Sequence, residues 1–228
     1  MNALSSSVYA YTRDVITQLR AQGTAPDMVQ VGYEVNAGML WEVGRSSNMA
    51  NFVKLTNAGA TAVRDASGGM ASMPAIMVHV AKTGNAAETV AGDRNIVAVG
   101  GWLGTTGPSY CPTWHGDFAS LSGTVSALRS NFPWARVYIT ETALSWSANQ
   151  VGCTNLPYPQ TPQGQYDSLK ALTPVVRNAG GSGIFSWGAF WSQSGNWSTA
   201  PDWKDDDASR RSLFDDGGRA TKAVNGLN

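Results

Sequence analysis

Two glutamates in this chain stand where a β-branched run gives way to a polar, aromatic loop. Glu34 follows Val29-Gln30-Val31-Gly32-Tyr33 and leads into Asn36, Gly38 and Trp41. Glu141 follows Arg136-Val137-Tyr138-Ile139-Thr140 and leads into a loop with Trp146. Paired carboxyl groups of this kind suit the cleavage of an acetal: one protonates the leaving oxygen while the other attacks the anomeric carbon or activates water. A single strand-end Glu is commonly an ion-pair partner. Two of them with aromatic loops are harder to explain that way.

Composition narrows the substrate. The formal net charge is zero, from 16 basic and 16 acidic residues, and no basic stripe runs through the chain. Nucleic acid and anionic membrane are therefore not expected partners, and the substrate is expected to be uncharged. Nine Trp and seven Tyr could serve as platforms for the C–H face of a sugar, or as core. His79, near the end of an apolar run, has two readings, a hydrogen-bonded structural residue or a group at the site. Cys111 and Cys153 could form one disulfide or remain two thiols, since spacing does not settle pairing. No zinc pattern is present, and the loop 144–160, with Asn149, Asn155 and no clustered acids, lacks the oxygen-rich spacing of a calcium site. Asp205-Asp206-Asp207 reads as solvated surface, and neither metal nor cofactor is expected. The N-terminal residues contain no cationic region followed by an apolar run, so no signal peptide is expected within this chain. No apolar window reaches the ~20 residues of a spanning helix.

The elements that must position the glutamates follow from periodicity. Leu4, Val8, Tyr11, Val15, Ile16 and Leu19 recur at helical spacing over 4–22, which Gly23 and Pro26 end. A strand is expected at 28–35. A helix capped by Ser46 or Ser47 follows, with Met49, Phe52, Val53, Ala60 and Val63 on its apolar face. Residues 74–80 form a continuous apolar run, as in a strand buried on both faces. Residues 82–108 are the least legible: Ile96-Val97-Ala98-Val99 could be a strand, and Gly100 through Gly107 lacks phosphate-loop spacing. Helices are expected around Leu121, Val125 and Leu128 and over 163–179, the second with Leu169, Leu172, Val175 and Val176 on one face and a kink at Pro174. Strands at 136–141 and 183–187 and a short helix near 219–226 complete the chain. Alternating strands and helices predict an α/β protein with a mostly parallel sheet, one domain over 1–228, and a site beyond the strands' carboxyl ends.

In five segments, two of which carry the glutamates, the chain resembles glycoside hydrolase family 53, the arabinogalactan endo-β-1,4-galactanases. The segments are GYEVNAGMLWEVGRSSN at 32–48, SYCPTWHG at 109–116, VYITETA at 137–143, TPQGQYDSLKAL at 161–172 and SLFDDGGRA at 212–220, in family order. The resemblance implies a (β/α)8 barrel, of which this chain would supply roughly the last five βα units. It further implies that Glu34 is the acid/base and Glu141 the nucleophile of a retaining endo-glycosidase acting on a galactan-type polysaccharide. Tyr33, Asn36, Trp41, His79, Tyr110, Trp114, Trp187 and Trp191 are then expected to line the sugar groove. Family members are generally exported, which implies an extracellular protein. Three departures stand out: Tyr33 replaces the Asn that precedes the family's acid/base, Trp187-Gly188-Ala189 replaces Trp-Glu-Pro, and the family's first three βα units have no counterpart here. Five strands cannot close an eight-stranded barrel, so open sheet edges and self-association through them are expected. A catalytically inactive carbohydrate-binding or structural remnant is the alternative that these departures raise.

Overall fold

A computed structural model describes residues 1–70, 73–81, 85–98, 101, 104–147, 158–191, 210–215 and 217–227. Five parallel strands form one sheet in chain order: β1 (Met28–Gln30), β2 (Ala75–Ala81), β3 (Thr105–Ser109), β4 (Arg136–Thr142) and β5 (Gly183–Ser186). Helix α1 (Asn2–Ala21) precedes β1, and α2 (Met49–Ala66) joins it to β2. Then α3 (Ala86–Ala98) leads to β3, short α4 (Pro112–His115) and α5 (Phe118–Asn131) to β4, and α6 (Pro162–Asn178) to β5. Each crossover helix packs back on the sheet, and the strands curl through part of a barrel.

The helices α2, α5 and α6 start where side chains satisfy their first amides. Asn48 Oδ1 accepts from Asn51 N at 3.3 Å, Asp117 Oδ1 from Ser120 N at 2.8 Å, and Thr161 Oγ1 from Gly164 N at 3.0 Å with Pro162 in the first turn. Ser46 and Ser47, expected as caps, instead form a 3-10 turn ahead of α2. The apolar faces are those the spacing predicts: Phe52, Val53, Leu121, Val125, Leu128, Leu172 and Val176 bury against Val78, Val80, Val137 and Ile139 of the sheet. Full burial of each such side chain stabilises by about 1.5–3 kcal/mol. On α1 only Ile16 is buried and Tyr11 is exposed, although Tyr9 Oη donates to Asp65 of α2 at 2.7 Å. Among the described residues no helix is long and apolar enough to cross a membrane.

Several elements differ from expectation. Ile96 and Val97 end α3 rather than forming a strand. The third strand is Thr105–Ser109, which contains Gly107 and Pro108, two residues that strands disfavour. A Cβ at Gly107 would meet Thr140 Cγ2 at 2.1 Å, so glycine lets β4 approach, and the β3–β4 register shifts between Thr106 and Ser109, around Pro108. The first strand stops at Gln30, five residues short of its expected end. Finally, the C-terminal element is a 3-10 turn at Lys222–Leu227.

Candidate active site

The carboxyl edge of the sheet gathers Glu34, His79, Ser109 and Glu141. Gly32 turns the chain after β1 with φ +86, where any Cβ would lie 2.5 Å from Val35 Cγ1. That turn delivers Tyr33 and then Glu34, itself at φ 43 in the left-handed region. A non-glycine residue persists there only when its surroundings hold it, and such positions concentrate at functional sites. Asn36 provides one hold: Nδ2 donates to Ala81 O at 2.9 Å and Oδ1 accepts from Ala81 N at 2.6 Å, tying the turn to the end of β2. From the sheet, register sets Ser109 opposite Glu141.

One carboxylate oxygen of Glu34, one of Glu141 and one ring nitrogen of His79 lie within 4.8 Å of one another. Ser109 Oγ donates to Glu34 Oε1 at 2.7 Å and is itself 2.7 Å from His79 Nε2. Tyr33 Oη donates to Glu141 Oε2 at 3.3 Å, and its ring meets that of His79 edge-on at 5.1 Å. Burial, reinforced by the Glu34 charge and opposed by the Tyr33 hydrogen bond, pushes the Glu141 carboxyl up to about 7. Burial and the two carboxylates push the Tyr33 phenol up to about 12. Burial also lowers His79, against the pull of Glu34, so its imidazole is neutral at pH 7.

The other expected site residues divide. Trp41 (61% exposed) and Trp114 (63%) are largely exposed, and Arg45 covers one face of Trp41 with Cζ 4.9 Å from its centroid. Trp187 and Trp191 are half-buried against each other at 4.5 Å, with the Arg211 guanidinium 5.1 Å over Trp187. Two residues are not where a sugar could stack on them: His79 is fully buried, and Tyr110 is 1% exposed with its hydroxyl donating to Gly116 O at 2.9 Å. His79 is thus both hydrogen-bonded, to Ser109 Oγ, and placed beside Glu34 and Glu141. Asn36 is exposed, but its amide is engaged by the Ala81 backbone. Ser109, the link between His79 and Glu34, is not legible as a site residue in the sequence, because the strand it ends contains Gly107 and Pro108, which strands disfavour. Its one signal was its place immediately before Tyr110. Cys111 is disulfide-bonded, and Cys153, the other cysteine of the chain, lies outside the described residues. So do Asn149, Asn155 and Asp205-Asp206-Asp207.

Glu34, His79 and Glu141 are donor types that hold metal ions. Here, however, His79 Nε2 is bonded to Ser109, and Glu141 Oε2 accepts from Tyr33. The arrangement as it stands fits a carboxyl pair acting on a bond held between its two members, with aromatic side chains on the adjoining loops.

Known proteins are similar in sequence and in fold. The profile of glycosyl hydrolase family 53 matches residues 1–227. An uncharacterized protein from the bgaB 5′ region of Niallia circulans is 31% identical over 209 residues, 82% of this chain and 56% of its own length. The arabinogalactan endo-β-1,4-galactanase of Thermothelomyces thermophilus is 28% identical over 208 residues, 85% of this chain and 60% of the relative. The chain thus spans little more than half the length of these relatives. Among solved structures, the GH53 catalytic domain of Ignisphaera aggregans superposes with a TM-score of 0.84 at 26% identity, over 99% of this chain and 64% of that one. The catalytic core of xylanase A, with a TM-score of 0.58 at 13% identity, shares the fold alone. With the family profile running through the strand-end glutamates and along almost the whole chain, the protein belongs to glycosyl hydrolase family 53.

Proposed function

We propose that the chain carries the catalytic pair of a retaining endo-glycosidase for β-1,4-galactan, with Glu34 as acid/base and Glu141 as nucleophile. The observation that carries this reading is the approach of the two carboxyl groups to within 4.8 Å at the carboxyl edge of the sheet. Retaining enzymes hold their carboxyl groups about 5–5.5 Å apart, whereas inverting enzymes leave about 6.5–9.5 Å for a water. In the first half-reaction Glu34 gives its proton to the glycosidic oxygen as that bond breaks, and Glu141 bonds to the anomeric carbon. In the second, Glu34 takes a proton from water, which displaces Glu141. Galactan as substrate rests on the names of the relatives. An extracellular location rests on the same kinship. Trp41 and Trp114, both largely exposed, are the groups proposed to stack on sugar rings.

Tyr33 supports a second reading. Its hydroxyl reaches the carboxylate that has to attack the sugar, which favours a chain that binds polysaccharide without turning it over. One experiment separates the two: hydrolysis of β-1,4-galactan by the wild-type chain and by Glu141→Gln and Glu34→Gln, with binding measured in parallel. The enzyme reading expects a loss of at least about 10³-fold in both variants with binding retained. Binding without turnover in the wild type supports the alternative.

Among the described residues β1 pairs only with β2 and β5 only with β4, and Phe185 of β5 is 46% exposed. Unpaired strand edges beside an exposed ring are a template for pairing. Self-association of the chain through these edges is therefore part of the proposal.

A further inference from the structure

We propose that His79 and Ser109 are positioning residues for Glu34: a chain of two hydrogen bonds, from His79 Nε2 to Ser109 Oγ and from Ser109 Oγ to Glu34 Oε1, fixes which oxygen of the acid/base carries its proton. The proposal rests on the role of Glu34 given above. It arises from three observations. Both links are 2.7 Å long. His79 and Ser109 are 0% and 5% exposed, so water does not replace their mutual bond. The partners come from separate elements, β2, β3 and the turn after β1, so the chain of bonds exists only in the folded protein.

The direction of the bonds follows from the donor inventory. Ser109 has one hydroxyl hydrogen, and once that is committed to Glu34 Oε1 the serine can only accept from His79. The imidazole hydrogen must then sit on Nε2. Nδ1, buried and without a hydrogen-bond partner among the described residues, is the bare acceptor. With Oε1 occupied as an acceptor, the carboxyl proton of Glu34 is confined to Oε2. Among the described residues no hydrogen bond falls on that oxygen. Each turnover takes the proton from Oε2 to the leaving oxygen and returns one from water to the same oxygen. Throughout, the Ser109 bond to Oε1 stabilises the carboxylate that exists in between. No proton has to pass along the chain of bonds; it orients the carboxyl group.

Such a role separates acid catalysis from everything else the site does. In Ser109→Ala, kcat/KM on β-1,4-galactan should fall about 10–100-fold, the scale of one hydrogen bond to a charged group. On 2,4-dinitrophenyl β-galactobioside, whose leaving group needs no proton, kcat/KM should change less than about threefold. Ser109→Thr, which keeps the hydroxyl, should restore the galactan rate. A readout independent of turnover is the 15N spectrum of the His79 ring in the full chain at neutral pH. Wild type and Ser109→Thr should show the Nε2–H tautomer with a slowly exchanging proton, and Ser109→Ala should lose that protection. An Nδ1–H tautomer in the wild type, or equal losses on both substrates in Ser109→Ala at unchanged Tm, would overturn the proposal. If the wild-type chain cleaves neither substrate, the glycosidase reading falls, and the His79 spectrum alone decides whether the chain of bonds exists.

Discussion

Replacing Asp93 by Asn should remove a fall in stability between pH ~4 and ~7, and the structure sets the size of the effect. Asp93 lies on α3, fully buried against β3, where one carboxyl oxygen accepts from Thr106 Oγ1 at 2.7 Å. The other oxygen, Oδ1, has no hydrogen-bond partner among the described residues. Burial outweighs the Thr106 bond and pushes the carboxyl from 3.8 to about 7. Below pH ~4 the group is protonated both folded and unfolded and contributes no pH dependence. Between ~4 and ~7 the unfolded chain releases the proton while the folded one keeps it, so stability falls as pH rises, by about 1.4 kcal/mol per unit. The accumulated loss is about 4 kcal/mol by neutral pH and grows little above it. In Asp93→Asn the new side-chain carbonyl can still accept from Thr106, but a buried amide N–H₂ stands in place of Oδ1, at a cost of about 1–3 kcal/mol. The variant should therefore be less stable than wild type at pH 4, and more stable at pH 8 by about 1–3 kcal/mol. For a domain of this size that is several degrees in Tm. Urea unfolding across pH 4–8 measures it. Parallel stability curves for the two proteins would refute the reasoning.

Other expectations follow from the site. Because Glu141 is pushed up to about 7 and must be ionised to attack, kcat/KM on galactan should fall about tenfold per unit as pH drops below ~7. Tyr33→Phe removes the hydrogen bond that lowers Glu141 and should move this acid limb upward by up to about one unit; an unmoved limb in a pH–rate profile would remove Tyr33 Oη from Glu141. The open edges of β1 and β5 predict concentration-dependent association. Light scattering after size exclusion should show dimers or larger species at high micromolar concentration, and a stable monomer throughout would contradict the proposed pairing.

Much of the fold was legible because burial and periodicity agree. The faces of α2, α5 and α6 place Phe52, Leu121, Val125, Leu128, Leu172 and Val176 inside, where helical spacing puts them. The strands β2 and β4 read as apolar or alternating runs. What could not be read is where tertiary contacts override local preference. In β3, Gly107 is required by the approach of Thr140, and Pro108 is tolerated beside a register shift, neither of which is visible locally. That gap hid Ser109. Ile96 and Val97 have strand-like side chains yet end a helix, where Ile96 packs in the core. At the site, the two glutamates were visible as strand-end carboxyl groups. The turn at Gly32, the left-handed Glu34 and the engagement of Asn36 by the Ala81 backbone depend on how β1 meets β2, and no spacing rule foretells them. The burial of His79 and Tyr110 likewise comes from neighbours distant in sequence.

The retaining assignment of Glu34 and Glu141 is tested most directly by the configuration of the first product. Galactan should be digested by the wild-type chain in D₂O and followed by ¹H NMR in the opening minutes, before mutarotation mixes the anomers. The close carboxyl pair predicts that the β-anomer appears first and the α-anomer grows in only later. An α-anomer formed first would show inversion through a bound water and contradict the account.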